Sequence, residues 1–255
     1  MYFNVDVFCF AIIFSILKVS LCQGVLFDDQ IGDHRIVGGI DAEDGAFPYQ
    51  ISLRWHGRHI CGGSILNERY ILTAAHCIHR QIPENLTVVT GSNNLNEGGD
   101  TYKVEKIIEH KGYLPQTITN DIALIKLQED VKYGDKVKPI NLPEKDTGCD
   151  VELTLSGWGT TTFPGEIPNK LQTIKLISVS NVKCTLDHPG GILPTNICTL
   201  NKKGEGACHG DSGGPLVYED YQVGVVSWGI PCAKGKADVF TRVYSYLKWI
   251  EENAA

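Results

Sequence analysis

The sequence predicts an all-β fold for most of its 255 residues. In DVELTLSGW, residues 150–158, apolar side chains recur at every second position, which is the period of a half-buried strand. Glycine, proline, asparagine and aspartate separate this run from three others, as in β-sandwiches and β-barrels. The others are DIALIKL at 121–127, LQTIKLI at 171–177 and YQVGVVSWG at 221–229. With 42% apolar and 21% charged residues, the chain can build one large β domain or two small ones.

The first 22 residues differ from the rest and are predicted to be a secretory signal peptide. The stretch VDVFCFAIIFSILKVSLC, residues 5–22, is mostly apolar, but it is short for a membrane span and Lys18 interrupts it. Ser20 and Cys22 are small residues that suit a cleavage site, and an uncleaved membrane anchor is the alternative. Because no other segment is apolar enough to cross a membrane, we expect a secreted, extracellular protein without a membrane partner. The sequon NLT makes Asn85 a candidate N-glycosylation site, which fits this compartment.

Two segments flank the strand-like part of the chain. The acidic stretch VLFDDQIGDHR, residues 25–35, precedes it. The stretch VYSYLKWIEENAA, residues 243–255, follows it and has helical spacing, because Val243, Leu247 and Ile250 would share one face. We therefore predict a C-terminal helix.

Charge and ligand content exclude several function classes. The net charge is −7 and basic residues form no cluster, so nucleic acid is not expected as a partner. His56 and His59 are close in the sequence, but no set of carboxylates or cysteines completes a zinc site around them. We expect no metal and no cofactor.

Three short stretches carry the residue types that acyl transfer needs. They are TAAHC ending at Cys77, NDIAL at 120–124 and GDSGGP at 210–215. Each alone has an ordinary structural interpretation, but together they supply His, Asp and Ser. A serine hydroxyl needs a base within hydrogen-bond reach, and that base needs a carboxylate to fix its tautomer. The flanking glycines would let backbone N–H groups face a developing oxyanion.

Together with IVGG, SGWG and VSWG, these stretches have the order and spacing found in the chymotrypsin family of serine endopeptidases. The sequence resembles that family from Ile36 to about Ile250, and ICTLNKKGEGACHGDSGGPLV is most similar to insect chymotrypsins. The resemblance implies two six-stranded antiparallel β-barrels with the active site in the cleft between them. It further implies a monomeric, digestive protease domain over residues 36–255 that acts on protein and peptide substrates and is open to protein protease inhibitors. The acid-poor stretch SNNLNEGGD after Gly91 differs from the family's calcium loop, so calcium is not expected.

The resemblance assigns the catalytic roles residue by residue. Ser212 is the expected nucleophile, His76 the base that takes its proton, and Asp121 the carboxylate that orients His76. The N–H groups of Gly210 and Ser212 are expected to form the oxyanion hole. A non-catalytic protease homologue is the alternative from another functional class, although such proteins usually lack a residue of the triad.

Six of the nine cysteines have partners that the resemblance implies. The implied pairs are Cys61–Cys77, Cys184–Cys198 and Cys208–Cys232. Cys9 and Cys22 belong to the predicted signal peptide, which leaves Cys149 without a counterpart. Two alternatives stay open: Cys149 is a free or mispaired thiol, or the signal is cleaved before Cys22 and a Cys22–Cys149 bond tethers the propeptide after activation.

Residues 23–35 are expected to form an activation propeptide. The stretch DHRIVGG resembles a zymogen cleavage site, with the cut after Arg35 made by a trypsin-like protease. The new α-amino group of Ile36 would pair with Asp211, since a buried charge needs a partner. His59 lies where some zymogens of the family hold this aspartate before cleavage, and a plain surface histidine is the alternative.

The resemblance also locates the primary specificity pocket. Gly206, six residues before the nucleophile, is expected at its base and is followed by Ala207. Because trypsins carry Asp at this base, Gly206 predicts an uncharged pocket that accepts Phe, Tyr, Leu or Trp. Gly229 would leave the pocket wall open, and the strand Ser227, Trp228 and Gly229 would pair with an extended substrate backbone.

Asp238 complicates this expectation. The alignment places it on the rear wall of the pocket, where a carboxylate could attract a basic side chain, as in broad-specificity collagenolytic members of the family. It could instead be hydrogen-bonded to the wall, or protonated in apolar surroundings. A chymotrypsin-like preference is the expectation, and broad specificity through Asp238 is the alternative.

Overall fold

A computed structural model describes residues 36–162, 165–230 and 232–254 of the chain. The strands are β1 (Ile40–Asp41), β2 (Gln50–Trp55), β3 (Arg58–Ile65), β4 (Tyr70–Thr73), β5 (Leu86–Thr90), β6 (Asp100–Glu109), β7 (Ala123–Leu127), β8 (Glu152–Gly157), β9 (Gln172–Val179), β10 (Asn196–Thr199), β11 (Pro215–Tyr218), β12 (Tyr221–Gly229) and β13 (Asp238–Arg242). The helices are α1 (Ala75–Ile78), α2 (Asn181–Asp187) and α3 (Leu247–Asn253), with 3₁₀ turns at Pro83–Asn85 and Val243–Tyr246. The prediction of an all-β fold is confirmed.

The first barrel contains six antiparallel strands, closed in the order β2, β3, β4, β7, β6, β5. Strand β7 is part of the run DIALIKL, and four of its five residues are buried. Such a run is typical of a strand that faces the core of a closed barrel. The interior is filled by aliphatic side chains that include Ile51, Leu53, Leu72 and Leu124.

The second barrel is a sheet in the order β1, β9, β10, β13, β12, β11, β8, and a further pairing of β8 with β9 closes it. The alternation that predicted a strand at 150–158 holds in β8, where Leu153 and Leu155 are buried and Glu152 is exposed. Ile36 lies in the same core and is fully buried. The expected pair of six-stranded antiparallel barrels is thus confirmed, with β1 as an additional edge strand.

The C-terminal helix is also confirmed, although α3 begins only at Leu247 because the preceding residues form a 3₁₀ turn. The predicted face is correct. Val243 and Ile250 are buried, and Leu247 packs beside them. These residues leave the second barrel after β13 but pack into the core of the first, so this segment holds the two barrels together.

The described disulfides are Cys61–Cys77, Cys184–Cys198 and Cys208–Cys232, the pairs that the resemblance implies. Cys149 is disulfide-bonded as well, so the alternative of a free thiol at this position is wrong. Because the six other described cysteines bond one another, the partner of Cys149 lies outside the described residues.

The predictions for the signal peptide, for the propeptide and for Arg35 lie outside the described residues. Within the part of the chain that the structure describes, no helix has the length and hydropathy of a membrane span.

Candidate active site

His76 and Asp121 meet at the edge of the first barrel. His76 lies in the short helix α1 after β4, and Asp121 immediately precedes the β7 region. The ring Nδ1 of His76 donates a hydrogen bond to Asp121 Oδ2 over 2.8 Å, and the backbone N–H of His76 donates to Oδ1 over 2.8 Å. This arrangement fixes the tautomer that leaves Nε2 unprotonated and able to accept a proton.

Asp121 is held from the second barrel as well. Its carboxylate accepts a hydrogen bond from Ser227 Oγ on β12, and its backbone carbonyl accepts one from Thr241 Oγ1 on β13. The residue is 1% exposed, so a carboxylate there depends on these donors. Ser227, which the resemblance placed on the substrate strand, therefore also contacts the His76–Asp121 pair.

Ser212 lies in the segment of residues 208–214, which we call the Ser212 loop. Its carbonyl oxygen accepts a 2.8 Å hydrogen bond from the N–H of Gly62 on β3 of the first barrel. Gly213 has φ +75°, and a Cβ there would lie 2.3 Å from Thr73 Oγ1 and 2.8 Å from Gly62 O. Only glycine fits this contact, so the loop is pressed against the end of β4, three residues before His76.

Gly210 is fixed by a relay of polar groups from the first barrel. His59 Nε2 donates to Gly210 O over 3.0 Å, and His59 Nδ1 accepts from Ser52 Oγ over 2.9 Å. Burial lowers the pKa of His59, which favours the neutral ring that this bonding pattern requires. The next N–H along the chain, that of Asp211, donates to Cys208 O over 3.1 Å, so both sides of this peptide unit are held. The oxyanion-hole role of the Gly210 and Ser212 N–H groups stays a prediction.

Asp211, which belongs to the Ser212 loop, is completely buried. Its two oxygens accept hydrogen bonds from the N–H of Gly159 over 2.7 Å and of Cys208 over 2.9 Å. Burial raises the pKa of Asp211 to about 6, against the lowering effect of these two donors. The described bonds of His59 go to Ser52 and Gly210, the neighbour of Asp211, so its expected zymogen role stays a prediction.

The cleft contains a cavity of about 210 Å³. Its lining includes Ala207, Ser212, Ser227, Trp228, Gly229 and Asp238. Gly206, expected at the base, lies behind this lining. Its N–H donates to Val37 O over 3.0 Å, which joins the pocket to the segment that begins at Ile36.

The side chain of Asp238 reaches the place where a side chain of residue 206 would begin. Its Oδ2 accepts a 2.8 Å hydrogen bond from the Ala207 N–H, and a Cβ on Gly206 would lie 2.5 Å from that oxygen. A Cβ on Gly229 would lie 3.4 Å from Oδ1. The pocket base therefore has a carboxyl group although residue 206 is a glycine, because Asp238 on β13 supplies it.

Burial, with a smaller contribution from nearby Asp211, raises the pKa of Asp238 to about 7, against the opposing effect of the hydrogen bond from the Ala207 N–H. The sequence interpretation left open whether this residue is bonded to the wall or protonated. Its carboxyl group is in fact hydrogen-bonded to Ala207, while its raised pKa keeps the protonated form accessible near neutral pH.

Sequence reasoning missed His209 and Ile230, which also line the cavity. His209 is exposed at the rim and directly precedes GDSGGP. Its position next to this motif could have indicated that it lies near the cavity. Ile230 follows VSWG directly. The contact of Ser52 with His59 had no signal in the sequence because it depends on the pairing of β2 with β3.

One group of potential metal ligands stands close together in the described residues, Cys61, His76 and Cys77. Both sulfur atoms belong to one disulfide. A disulfide sulfur is not the thiolate that metal ions bind, so this group does not fit a metal ion.

Comparison with known proteins gives a consistent result. A model of the Trypsin family matches residues 36–250. Chymotrypsin-2 of Vespa crabro is 47% identical over 219 residues, which cover 86% of this chain and 99% of the relative. Serine protease 1 of Homo sapiens is 39% identical, covering 93% of this chain and 95% of the relative. Among solved structures, neuropsin, a serine protease expressed in the limbic system of mouse brain, superimposes with a TM-score of 0.81 at 34% identity, covering 85% of this chain and 99% of that one.

Proposed function

Because the chain belongs to the trypsin family and is a serine protease, we propose that it is a secreted endopeptidase that cleaves peptide bonds after large apolar residues. The observation that carries this proposal is the junction between the barrels. There, Gly62 of the first barrel donates to the carbonyl oxygen of Ser212, and the Ser212 loop packs on Thr73, three residues before His76.

The proposed reaction proceeds through an acyl-enzyme. Ser212 Oγ attacks the scissile carbonyl carbon while its proton passes to His76 Nε2, and Asp121 stabilises the imidazolium that forms. The N–H groups of Gly210 and Ser212 bind the oxyanion, and one such donor contributes about 3 kcal/mol to transition-state stabilisation. The intermediate collapses as His76 gives its proton to the leaving amine. Water, activated by His76, then attacks the ester and releases the second product.

The cavity supports an apolar preference at the residue before the scissile bond. Gly229 leaves its wall open, and Val226, Trp228 and Phe240 contribute to its lining. Burying a large apolar side chain there contributes roughly 2–3 kcal/mol. Broad specificity is the second candidate, and it is favoured by one observation, the Asp238 carboxyl group at the pocket base.

We further propose that the protein is made as a zymogen and that a trypsin-like protease cuts between Arg35 and Ile36. The new amino group would pair with Asp211. Burial raises the pKa of Asp211, and a cation beside it would stabilise its ionised form. The disulfide of Cys149 supports a tether to Cys22, which would keep the propeptide attached after the cut. Comparing the non-reducing mass of the activated protein with its reduced mass tests this tether.

The function is tested by activating the secreted protein with trypsin and titrating it with diisopropyl fluorophosphate. We expect one equivalent bound per chain in the activated protein and none in Ser212→Ala. Hydrolysis of matched peptides with Phe, Leu, Ala or Arg before the scissile bond then gives the preference. An activated protein that neither reacts with the reagent nor hydrolyses any peptide would be a non-catalytic homologue.

A further inference from the structure

The residue immediately before Asp121 has a left-handed backbone. Asn120 has φ +54°, a conformation that residues other than glycine rarely adopt and that asparagine tolerates better than most. The N–H of Ile122 donates to Asn120 O over 2.9 Å, so Asp121 lies at the centre of a three-residue turn. The direction in which the Asp121 carboxylate points therefore depends on how Asn120 is held.

The side chain of Asn120 is hydrogen-bonded through both of its polar atoms. Its Nδ2 donates to Gly112 O over 2.7 Å, and its Oδ1 accepts a 2.8 Å hydrogen bond from the hydroxyl of Tyr246. The first bond lies within the loop between β6 and β7, and the second reaches the 3₁₀ turn that follows β13. Asn120 thus links the loop that carries Asp121 to the segment that leaves the second barrel.

The same segment also holds Asp121 itself. Thr241 Oγ1, on β13 just before the 3₁₀ turn, donates to Asp121 O over 2.7 Å. Thr241 and Tyr246 are both buried. Two hydroxyl groups of residues 241–246 therefore bond two successive residues, Asn120 and Asp121, from outside the first barrel.

The Tyr246 hydroxyl stays protonated well above neutral pH. Burial raises its pKa, as does the nearby Asp121 carboxylate, against the effect of a side-chain hydrogen bond with Thr195. Its ring makes an edge-to-face contact with His110, with 5.5 Å between the centroids. A hydroxyl that remains a donor, on a ring packed in place, can hold the Asn120 carbonyl oxygen in one position.

We propose that Tyr246 is a positioning residue for the reaction: acting through Asn120, it fixes the orientation of Asp121 and thereby of the His76 ring. The proposal rests on the endopeptidase function and adds a residue of the C-terminal 3₁₀ turn to it. Asp121 holds His76 by two hydrogen bonds, from Nδ1 and from the backbone N–H, each 2.8 Å long. Rotation of Asp121 would displace the ring, and a displacement of about 1 Å at a reacting group can cost a factor of ~10² in rate.

The test is Tyr246→Phe, which keeps the ring and removes only the hydroxyl. With a peptide p-nitroanilide as substrate, we expect kcat to fall about 3–10-fold, the factor that one hydrogen bond represents, while KM stays the same. The acidic limb of the pH profile of kcat should move to lower pH by about half a unit, because a poorly oriented Asp121 stabilises the imidazolium less. A hydroxyl with only a structural role would lower the free energy of unfolding and leave kcat and its pH profile unchanged, which would overturn the proposal.

A double-mutant cycle tests whether Tyr246 acts through Asn120. Asn120→Gly keeps the left-handed backbone and removes both side-chain hydrogen bonds, so kcat should fall at least as far as in Tyr246→Phe. If the hydroxyl acts through Asn120, adding Tyr246→Phe to Asn120→Gly causes no further loss of kcat. Losses that multiply in the double variant would contradict this route.

Tyr102→Phe is the matched control. Tyr102 is buried, and its hydroxyl accepts a 3.1 Å hydrogen bond from the N–H of Lys132. It lies near the start of β6, at the end of the strand remote from Asp121. We expect Tyr102→Phe to lower the free energy of unfolding and to leave kcat and its pH profile unchanged. A fall in kcat as large as that in Tyr246→Phe would mean that loss of any buried hydroxyl suffices, and the proposal would be wrong.

Other titratable groups surround the His76–Asp121 pair and could move the acidic limb. They are His79 and Glu109, which are hydrogen-bonded to each other, Tyr113, and His110. Burial, with smaller contributions from Asp121 and Glu109, raises the pKa of Tyr113 to about 12, so it does not titrate in this range. His110 contacts the Tyr246 ring, and its Nδ1 accepts from the N–H of Gly112.

His110→Asn separates the titration of His110 from the effect of Tyr246, because asparagine offers an acceptor and does not titrate. The shift of the acidic limb caused by Tyr246→Phe should persist in the His110→Asn background. Its disappearance there would assign the shift to His110 and count against the proposal.

A readout independent of turnover uses Ser212→Ala. The proton that His76 Nδ1 donates to Asp121 gives a proton NMR signal, which broadens when the bond loosens and exchange with water becomes faster. We expect the signal to broaden when Tyr246→Phe is added and to stay sharp with Tyr102→Phe, and equally sharp signals would overturn the proposal. If the unaltered protein neither hydrolyses peptides nor reacts with diisopropyl fluorophosphate, the endopeptidase function is wrong, and these spectra still decide whether Tyr246 positions Asp121.

Discussion

The two barrels treat their buried carboxylates differently. Asp121 of the first barrel is bonded by the side chains of His76 and Ser227, one of them able to carry a positive charge. In the described hydrogen bonds, Asp211 and Asp238 of the second barrel receive only backbone N–H groups. The first barrel thus carries a complete proton-transfer pair. The second has buried acids without a cationic side chain among these bonds, and in the proposed activation the amino group of Ile36 supplies the cation for Asp211.

The largest effect is expected from a substitution that disrupts the His76–Asp121 pair. In Asp121→Asn, the amide can donate to His76 and favour the wrong tautomer, so kcat should fall about 10⁴-fold. Steady-state kinetics on a Phe peptide measures this fall, and reaction with diisopropyl fluorophosphate should slow in parallel. Ser227→Ala, which removes one neighbour of the same carboxylate, is the milder comparison. Equal kcat values for Asp121→Asn and the unaltered protein would contradict the assigned role.

The next effect concerns the acid that waits for the amino terminus. In Asp211→Asn, cleavage at Arg35 should raise the activity little. The cut variant should therefore be roughly 10²–10³-fold less active than the cut unaltered protein, a loss comparable to that of an oxyanion donor. The measurement is kcat/KM before and after cleavage at Arg35. Activation of this variant to the full rate would show that no Ile36–Asp211 pair is needed.

A third prediction concerns the contact between the barrels. Gly213→Ala introduces a Cβ 2.3 Å from Thr73 Oγ1, so it should lower the free energy of unfolding by more than the strain of a left-handed residue alone. Gly190→Ala is the matched control, because Gly190 has nearly the same φ, +76°, and open space around its Cβ. Its cost should be about 1–2 kcal/mol. Urea unfolding compares them, and equal costs would mean that the contact between the barrels contributes no strain.

The smallest expected effect concerns Asp238, and it is measured as a change in the free energy of unfolding. The folded-state pKa of Asp238 is raised, so the folded protein binds more protons than the unfolded chain between about pH 4 and 7. The protonated Asp238 contributes fully to the free energy of unfolding at pH values below its pKa in the unfolded chain. This contribution is lost as the pH rises through its folded-state pKa of about 7. The difference in unfolding free energy between the unaltered protein and Asp238→Asn should therefore shift against the unaltered protein over that range. A constant difference would show that Asp238 does not change its protonation on folding.

How much the sequence revealed depended on the range of the interactions. The alternation in β8 and the spacing of Val243, Leu247 and Ile250 are local, and both were interpreted correctly. Asp238 was expected on the rear wall of the pocket, but its hydrogen bond to Ala207 beside Gly206 could not be read from the sequence, because Asp238 lies on a strand 32 positions after Gly206. The contact of Gly62 with Ser212 likewise joins distant segments, and only the closed barrels bring them together.

The seam at Gly62, Thr73 and Gly213 also has an evolutionary and an engineering consequence. Loops on the outer rims of either barrel can change length without altering this contact. Substitutions on one side of the seam, in contrast, require matching substitutions on the other side. A chimaera that takes one barrel from this chain and the other from a relative should therefore fold into a working pair only if the parental backbones match there. The seam, more than overall identity, decides which halves are interchangeable.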